Sequence, residues 1–237
     1  MTYVEGIVLA VPAENKEAYR QLAAGTVDLF KESGATRLVE AWGDDVPNGE
    51  LTDFRRAVKA KQDEVIVFAW IEYPDKETHE AAGARIMDDP RMQEIAASTL
   101  FESKRMIYGG FASIIEERFD DETGYIDGSL MPVPLGSKDA YRDMVASQAA
   151  VFKEYGATRI VDAWADAVPD GDVTDYKSAV MAGRDEAVVF SWIEWPSKTV
   201  RDQAWPKIFA DPRMHPETVY GDNRRRVYGG FEPIVIG

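Results

Sequence analysis

The sequence predicts an α+β protein built from two ferredoxin-like β-α-β-β-α-β repeats packed sheet to sheet, a pseudo-dimeric α+β barrel made by one chain. Three observations predict it. The stretch Val67-Phe68-Ala69-Trp70-Ile71-Glu72-Tyr73-Pro74 recurs, nearly unchanged, as Val189-Phe190-Ser191-Trp192-Ile193-Glu194-Trp195-Pro196. The recurrence covers almost the whole chain: Tyr3 matches Tyr125, Gly6 matches Gly128 and Pro12 matches Pro134 at a constant offset of 122 (125 − 3), without a gap through Met92 and Met214. Each copy also carries an aromatic strand face that its own helices leave uncovered, and the economical cover for it is the sheet of the other copy.

Each element has a local reason. Tyr3 to Val11 alternate and end at Pro12, which makes a first strand. A helix is expected from about Glu14 to Ser33, with Ala18, Leu22, Ala23, Val27, Leu29 and Phe30 near helical spacing and Gly34 as the stop. Ala35 to Trp42 reads as the second strand, running into the turn-rich Asp44-Asp45-Val46-Pro47-Asn48-Gly49, with loop through Lys61. The third strand is β-branched and aromatic and stops at Pro74, since proline cannot extend a hydrogen-bonded ladder. Alternation puts Ile66, Phe68, Trp70 and Glu72 on one face and Val65, Val67, Ala69 and Ile71 on the other. A second helix spans Asp75 to Met87, capped by Asp75 and broken at Asp89-Pro90. Arg105 to Ile115 forms the fourth strand, where Gly109-Gly110 suggests a bulge or a close backbone approach.

The repeats are expected at residues 1–119 and 123–237, with the acidic segment 116–124 as linker. An offset of 120 (228 − 108) relates Tyr108-Gly109-Gly110-Phe111 to Tyr228-Gly229-Gly230-Phe231, so the second copy has lost two residues just before its last strand. Composition fits a globular protein: of 237 residues, 45% are hydrophobic and 29% charged, and no apolar run approaches the roughly 20 residues of a spanning helix. The first residues lack a secretory signal pattern, so a cytoplasmic location is the expectation, with no membrane partner. Without cysteine there is neither a disulfide nor a thiolate ligand or nucleophile. A net charge of −15 argues against nucleic-acid binding. Asn223-Arg224-Arg225-Arg226, the one basic cluster, is expected to begin a strand beside acidic neighbours.

Gly34-Ala35, Asp44-Asp45-Val46-Pro47, Asp63-Glu64, Phe68-Ala69-Trp70-Ile71, Asp89-Pro90-Arg91-Met92 and Lys104-Arg105-Met106-Ile107-Tyr108-Gly109-Gly110-Phe111 occur in that order. This series resembles the YbaA-like bacterial proteins, number 1428 among the domain families of unknown function. The resemblance spans each half almost end to end. It implies the dimeric α+β barrel superfamily, in which ordinary members are single domains that pair as homodimers, and from which this chain departs as a tandem duplication. No activity comes with it, because the wider superfamily mixes cofactor-free oxygenases, isomerases, haem enzymes and binding proteins.

The candidate ligand site follows from the face that carries Trp70. Alternation groups Glu40, Trp42 and Asp44 on the second strand and Tyr3, Glu5 and Ile7 on the first, and Arg105 opens the fourth. The second half offers Asp162, Trp164, Trp192, Glu194 and Arg225 at matching places. If Glu40, Trp42, Trp70, Glu72 and Arg105 converge inside the barrel with their copies, they make either a charge network or a tuned acid/base site for a small apolar or aromatic molecule. Such a protein is a small-molecule binder or a cofactor-independent enzyme of oxygenase or isomerase type. The competing reading is a filled barrel serving as an interaction or structural module, with tryptophans as core and Glu72 and Glu194 reaching solvent beside their prolines. Neither a metal nor another cofactor is expected: His79 and His215 have no counterparts in the other half, Asp44-Asp45 reads as a turn, and no phosphate-loop pattern occurs. Arg91 and Arg213 are expected to fix their loops through salt bridges. The intact chain is expected as a monomeric pseudo-dimer or a homodimer.

Overall fold

Strand-forming runs and the prolines that end them set the order of elements. The computed structural model describes residues 1–216 and 218–237 and, for 94–96, the backbone alone. The first repeat runs β1 (Tyr3–Pro12), α1 (Lys16–Ala24), α2 (Val27–Glu32), β2 (Arg37–Asp45), α3 (Phe54–Ala57), β3 (Glu64–Tyr73), α4 (Lys76–Met87), α5 (Pro90–Ala96) and β4 (Ile107–Arg118). The second runs β5 (Tyr125–Pro134), α6 (Lys138–Glu154), β6 (Arg159–Ala167), α7 (Tyr176–Ala179), β7 (Glu186–Trp195), α8 (Lys198–Ala210) and β8 (Val227–Ile236). β3 and β7 each stop one residue before their proline. No helix among the described residues is long and apolar enough to cross a membrane.

Several local features differ from the sequence reading, among them helix α5 and a helical turn at Asn223–Arg225 where a strand start was expected. The helix expected from Glu14 to Ser33 is interrupted at Gly25-Thr26, whereas α6 runs unbroken for 17 residues. Ser147 and Gln148 occupy the matching places there. Glycine costs about 1 kcal/mol relative to alanine inside a helix, and β-branched threonine is a weaker helix former than glutamine. The loop expected before Lys61 contains α3, whose N-cap Asp53 accepts a hydrogen bond from the Arg56 amide at 2.8 Å. Glu116, Glu117 and Arg118, assigned to the linker, extend β4 and pair with β6.

Within each repeat the antiparallel order is β4-β1-β3-β2 or β8-β5-β7-β6. The sheets do more than face each other. β2 pairs with β8 and β4 with β6, so the eight strands close into one barrel. Both closing ladders shift register, between Glu40 and Ala41 and between Gly43 and Asp45 in one, and between Gly110 and Phe111 and between Ser113 and Ile115 in the other. Such bulges supply the extra twist that closure needs. The glycine pairs serve close approach as well, because a Cβ on Gly110 would fall on the Tyr3 hydroxyl, and one on Gly230 on that of Tyr125.

An eight-stranded barrel is just wide enough to be filled by side chains, and this one is filled in layers in which residues meet their own repeats. Phe68 and Phe190 stack at 4.6 Å between ring centroids, and Trp70 and Trp192 meet at 4.5 Å. At one end α3 and α7 insert Phe54 and Tyr176, whose rings stand edge-on to Phe68 and Phe111 at 5.8 and 5.1 Å. At the other end lie Glu72 and Glu194. The helices cover the outer faces of the sheets, forming separate clusters around Tyr19, Leu29 and Ile86 in one half and around Phe152, Trp195 and Ile208 in the other.

The layers leave no room at two interior glycines. A Cβ on Gly6 would stand 2.8 Å from the Phe190 ring, and one on Gly128 would stand 3.0 Å from that of Phe68. Gly6→Ala and Gly128→Ala are each expected to lower unfolding free energy by about 1–3 kcal/mol, the usual cost of overpacking. Urea denaturation measures this, and variants as stable as the parent would mean that the aromatic layers are slack.

Candidate functional site

The buried end of the barrel holds a charge network that crosses between the repeats. Arg37, at the start of β2, donates to both carboxylate oxygens of Glu194 at 2.6 and 2.8 Å. Its copy Arg159, only 1% exposed, donates to both oxygens of Glu72 at 2.7 Å each and to Glu116 at 2.6 Å. The indole N–H groups of Trp70 and Trp192 donate to Glu72 and Glu194 at 2.9 and 3.0 Å, and Thr123 donates a short hydrogen bond to Glu194. Burial pushes the Glu194 carboxyl up, but Arg37, Thr123 and Arg159 outweigh it and hold it below its usual range. Glu72 and Glu194 therefore neither reach solvent nor line an open pocket. Arginine and indole donors engage both glutamates, and their role here is to close the barrel.

The inward set expected from alternation is corrected on β2 and β6. Residues opposite each other in a ladder share a face, and β3 opposes Phe68 to Ala41 and Trp70 to Val39. Val39 and Ala41 therefore enter the barrel, while Glu40 and Trp42 lie against the helices. Asp162 and Trp164 sit likewise in the second half. Tyr3 lies opposite Tyr73 on the helix side and leaves the interior to Val4. Glu40, Glu72 and Arg105 do not converge.

Arg105 and Arg225 pin the turns that lead into β4 and β8. Arg105 forms a bidentate pair with Glu64 at 2.6 and 2.8 Å, and Arg225 pairs with Glu186 at 2.7 Å twice. Arg105 holds the Glu64 carboxyl below its usual range by hydrogen bonding. Each arginine also donates to the carbonyl of a residue with positive φ, Lys59 at 49° or Met181 at 52°. The arginines thus secure a backbone conformation that side chains disfavour. Arg91 and Arg213 fix their turns as expected, through Asp89 and Glu32 and through Asp211 and Glu154. Arg224 pairs with Asp222.

Chemistry concentrates where helices meet sheet. Glu40 accepts a hydrogen bond from the Tyr19 hydroxyl at 2.8 Å and forms no ion pair among the described residues. Burial pushes its carboxyl up to about 7, against the lowering effect of Tyr19. Glu40 and its neighbours Ile7 and Met106 are half-buried as residues, while the Glu40 carboxyl end is turned in against Tyr19. Strand pairing lays Glu40, Ala69, Ile7 and Tyr108 in a row across the helix side of the sheet, and Trp42 packs in the same cluster with Lys16 over its ring at 5.4 Å. The matching row is Asp162, Ser191, Ser129 and Tyr228, beside Trp164 and Tyr141. Asp162 accepts from Tyr141 and Ser191 at 2.7 Å each, and burial raises its carboxyl despite these bonds and the charge of Arg226. Tyr19 and Arg37 were missed although both repeat, in Ala18-Tyr19-Arg20 and in Thr36-Arg37, and a carboxylate on a covered strand requires such partners. Among the described residues there is no group of three or more side chains able to hold a metal ion.

Comparison with known proteins bears on the whole chain. The model of a family described as protein of unknown function (DUF1428) matches residues 2–103 and again residues 124–223. The uncharacterized protein YbaA of Escherichia coli K12 is 59% identical over 117 residues, 49% of this chain and 100% of that relative. YbaA of Shigella flexneri matches to the same extent. Among solved structures, an anthrone oxidase-like protein superposes with a TM-score of 0.61 at 14% identity, over 100% of this chain and 92% of the other. A candidate monooxygenase from Fusobacterium nucleatum gives 0.61 at 9% identity, over 99% and 93%. At these identities the two structures establish a common fold.

Two outcomes follow from the charges. Arg159→Met leaves Glu72 buried without its bidentate partner and is expected to cost about 3–5 kcal/mol. Adding Glu72→Gln, which removes the stranded charge and still accepts from Trp70, should recover part of that loss in urea unfolding. Glu40 gives the opposite pH signature to an ion-paired acid. The folded state keeps a proton that the unfolded chain releases between its ordinary value of 4.5 and about 7, so this contribution to stability declines as pH rises through that window. Glu40→Gln should flatten the slope and raise stability at pH 8 by on the order of 1–3 kcal/mol relative to the parent; an unchanged slope would contradict the raised carboxyl.

Proposed function

The chain belongs to the DUF1428 family as a tandem pair of its domains, and from that premise we propose that it is a cofactor-independent small-molecule-binding protein whose site lies in the helix-side cleft over Glu40. The observation that carries this reading is Glu40 itself, a half-buried residue whose carboxyl end is buried, with one hydrogen bond, no ion pair among the described residues and a protonation equilibrium near neutrality. Protonated, it donates; ionised, it accepts, and a group poised near pH 7 can pass a proton in either direction. Ile7, Ala69, Met106 and Trp42 surround it with apolar surface. The ligand class that fits is a small apolar or aromatic compound with one polar group to meet Glu40.

The aromatic layers support a second reading for the barrel interior. Phe68, Phe190, Trp70 and Trp192 occupy the place where an internal ligand would lie, so the barrel acts as a structural core that holds the two outer clefts. Both sheets come from one chain, and the working unit in this reading needs no second copy.

Titration of the full chain with phenol, 2-naphthol and benzaldehyde, followed by tryptophan fluorescence, tests the proposal. Saturable quenching by at least one probe is expected, lost in Trp42→Phe and retained in Trp70→Phe. Glu40→Gln should weaken binding about tenfold, equivalent to ~1.4 kcal/mol for one hydrogen bond. Quenching that disappears in Trp70→Phe, or none across the probes, would remove the cleft from consideration.

A further inference from the structure

The two clefts share a plan but not a chemistry. On the floor of the second, Ser191 stands where the first has Ala69, Ser129 stands where it has Ile7, and Arg226 replaces Met106 beside it. All three changes add hydrogen-bonding capacity or charge in one place. Ser191 and Tyr141 both donate to Oδ1 of Asp162, which leaves Oδ2 without a hydrogen bond among the described residues, although Asp162 is buried. Arg226 reaches over Ser129, with Nη2 at 3.4 Å from the hydroxyl, and its guanidinium makes no ion pair among the described residues. Tyr228 ends the row and is 49% exposed, so the row runs out to solvent.

We propose that this second cleft binds a short organic acid bearing a hydroxyl or amino group at its far end, with its carboxylate on Arg226 and its donor on Asp162 Oδ2. The arrangement offers one fixed cation and one free carboxylate oxygen, which complement an acceptor and a donor held by the same molecule. Two strand spacings of about 4.8 Å put the backbones of Asp162 and Ser129 roughly 10 Å apart, the scale of a short bifunctional acid with a hydrogen bond at each end. Burial raises the Asp162 carboxyl, and the hydrogen bonds from Tyr141 and Ser191 and the charge of Arg226 oppose it; a donor arriving at Oδ2 would add to the opposing side. Glu40 has neither a cation nor a serine beside it, so its cleft does not fit such a ligand. The inference stands apart from the Glu40 reading because each cleft answers to its own variants.

Calorimetric titration of the full chain with 4-hydroxybutyrate and 4-aminobutyrate tests it, with butyrate and butan-1-ol as probes that each lack one of the two groups. Saturable binding is expected for at least one bifunctional acid, at least tenfold tighter than for either single-group probe. Arg226→Met and Ser129→Ile restore the residues of the first half, which the same fold accommodates there, and each should weaken binding at least tenfold. Glu40→Gln should leave it unchanged. No binding of either acid, binding within twofold of the parent in Arg226→Met, or binding lost in Glu40→Gln would overturn the proposal. If Ser129→Ile unfolds, Arg226→Met decides alone.

Discussion

Closure of the sheet is the constraint on which the rest of this molecule depends. Without the ladders from β2 to β8 and from β4 to β6, each four-stranded sheet would carry two bare edges and an aromatic face open to water. Once the ladders form, the enclosed volume must be filled, and the chain fills it with pairs related by the repeat: phenylalanine on phenylalanine, tryptophan on tryptophan. The two glutamates that end this series are then buried as well. Their charge is tolerable only because Arg37 and Arg159 arrive from β2 and β6 with two donors each and grip the glutamate of the opposite repeat. The same crossing that neutralises the end of the barrel ties one half to the other.

Much of this architecture was legible in the residues. Alternation, prolines after strands and a nearly gapless repeat determine the strands, their order and the need for a cover, because each is a local consequence of backbone geometry. Which face of β2 points inward was not legible, since alternation divides a strand into two sets without orienting them. The register against β3 decides, and it sends Glu40 and Trp42 to the helices. Helix α3 escaped notice because four residues are too few to show a period. The pairing of Glu72 with Arg159 joins residues 87 positions apart and becomes visible only when the barrel closes. The expected inward set therefore divides: Trp70 and Trp192 face the interior, whereas Glu40 and Asp162 lie against the helices on the opposite side of the sheet.

The two sides of each sheet have diverged to different extents, and the reason is physical. On the inner face Phe68, Trp70 and Glu72 touch or approach their own copies, so a change in one alters the fit of both. The outer faces pack against helices and do not meet their own copies, so one can change without the other, as Ser191 and Ser129 show against Ala69 and Ile7. Changes there are coupled where charges meet. Arg201 bonds Asp127 and Asp45 at 2.8 and 2.9 Å. In the related position His79 lies 3.3 Å from Glu5, its one carboxylate partner among the described residues, and Ala167 stands where the second aspartate would be. A guanidinium stands where Asp127, Asp45 and Asp202 all reach it, and an imidazole stands where the place of Asp45 is held by an alanine.

The short connection from β4 to β5 has a consequence for the barrel as an assembly. Two separate repeats would meet at a rate set by their concentration, and their barrel would fall apart on sufficient dilution. Joined by residues 119–124, each half experiences the other at an effective concentration in the millimolar range typical of short tethers, whatever the amount of protein present. Closure becomes a step of folding, and a scarce protein keeps its barrel as securely as an abundant one.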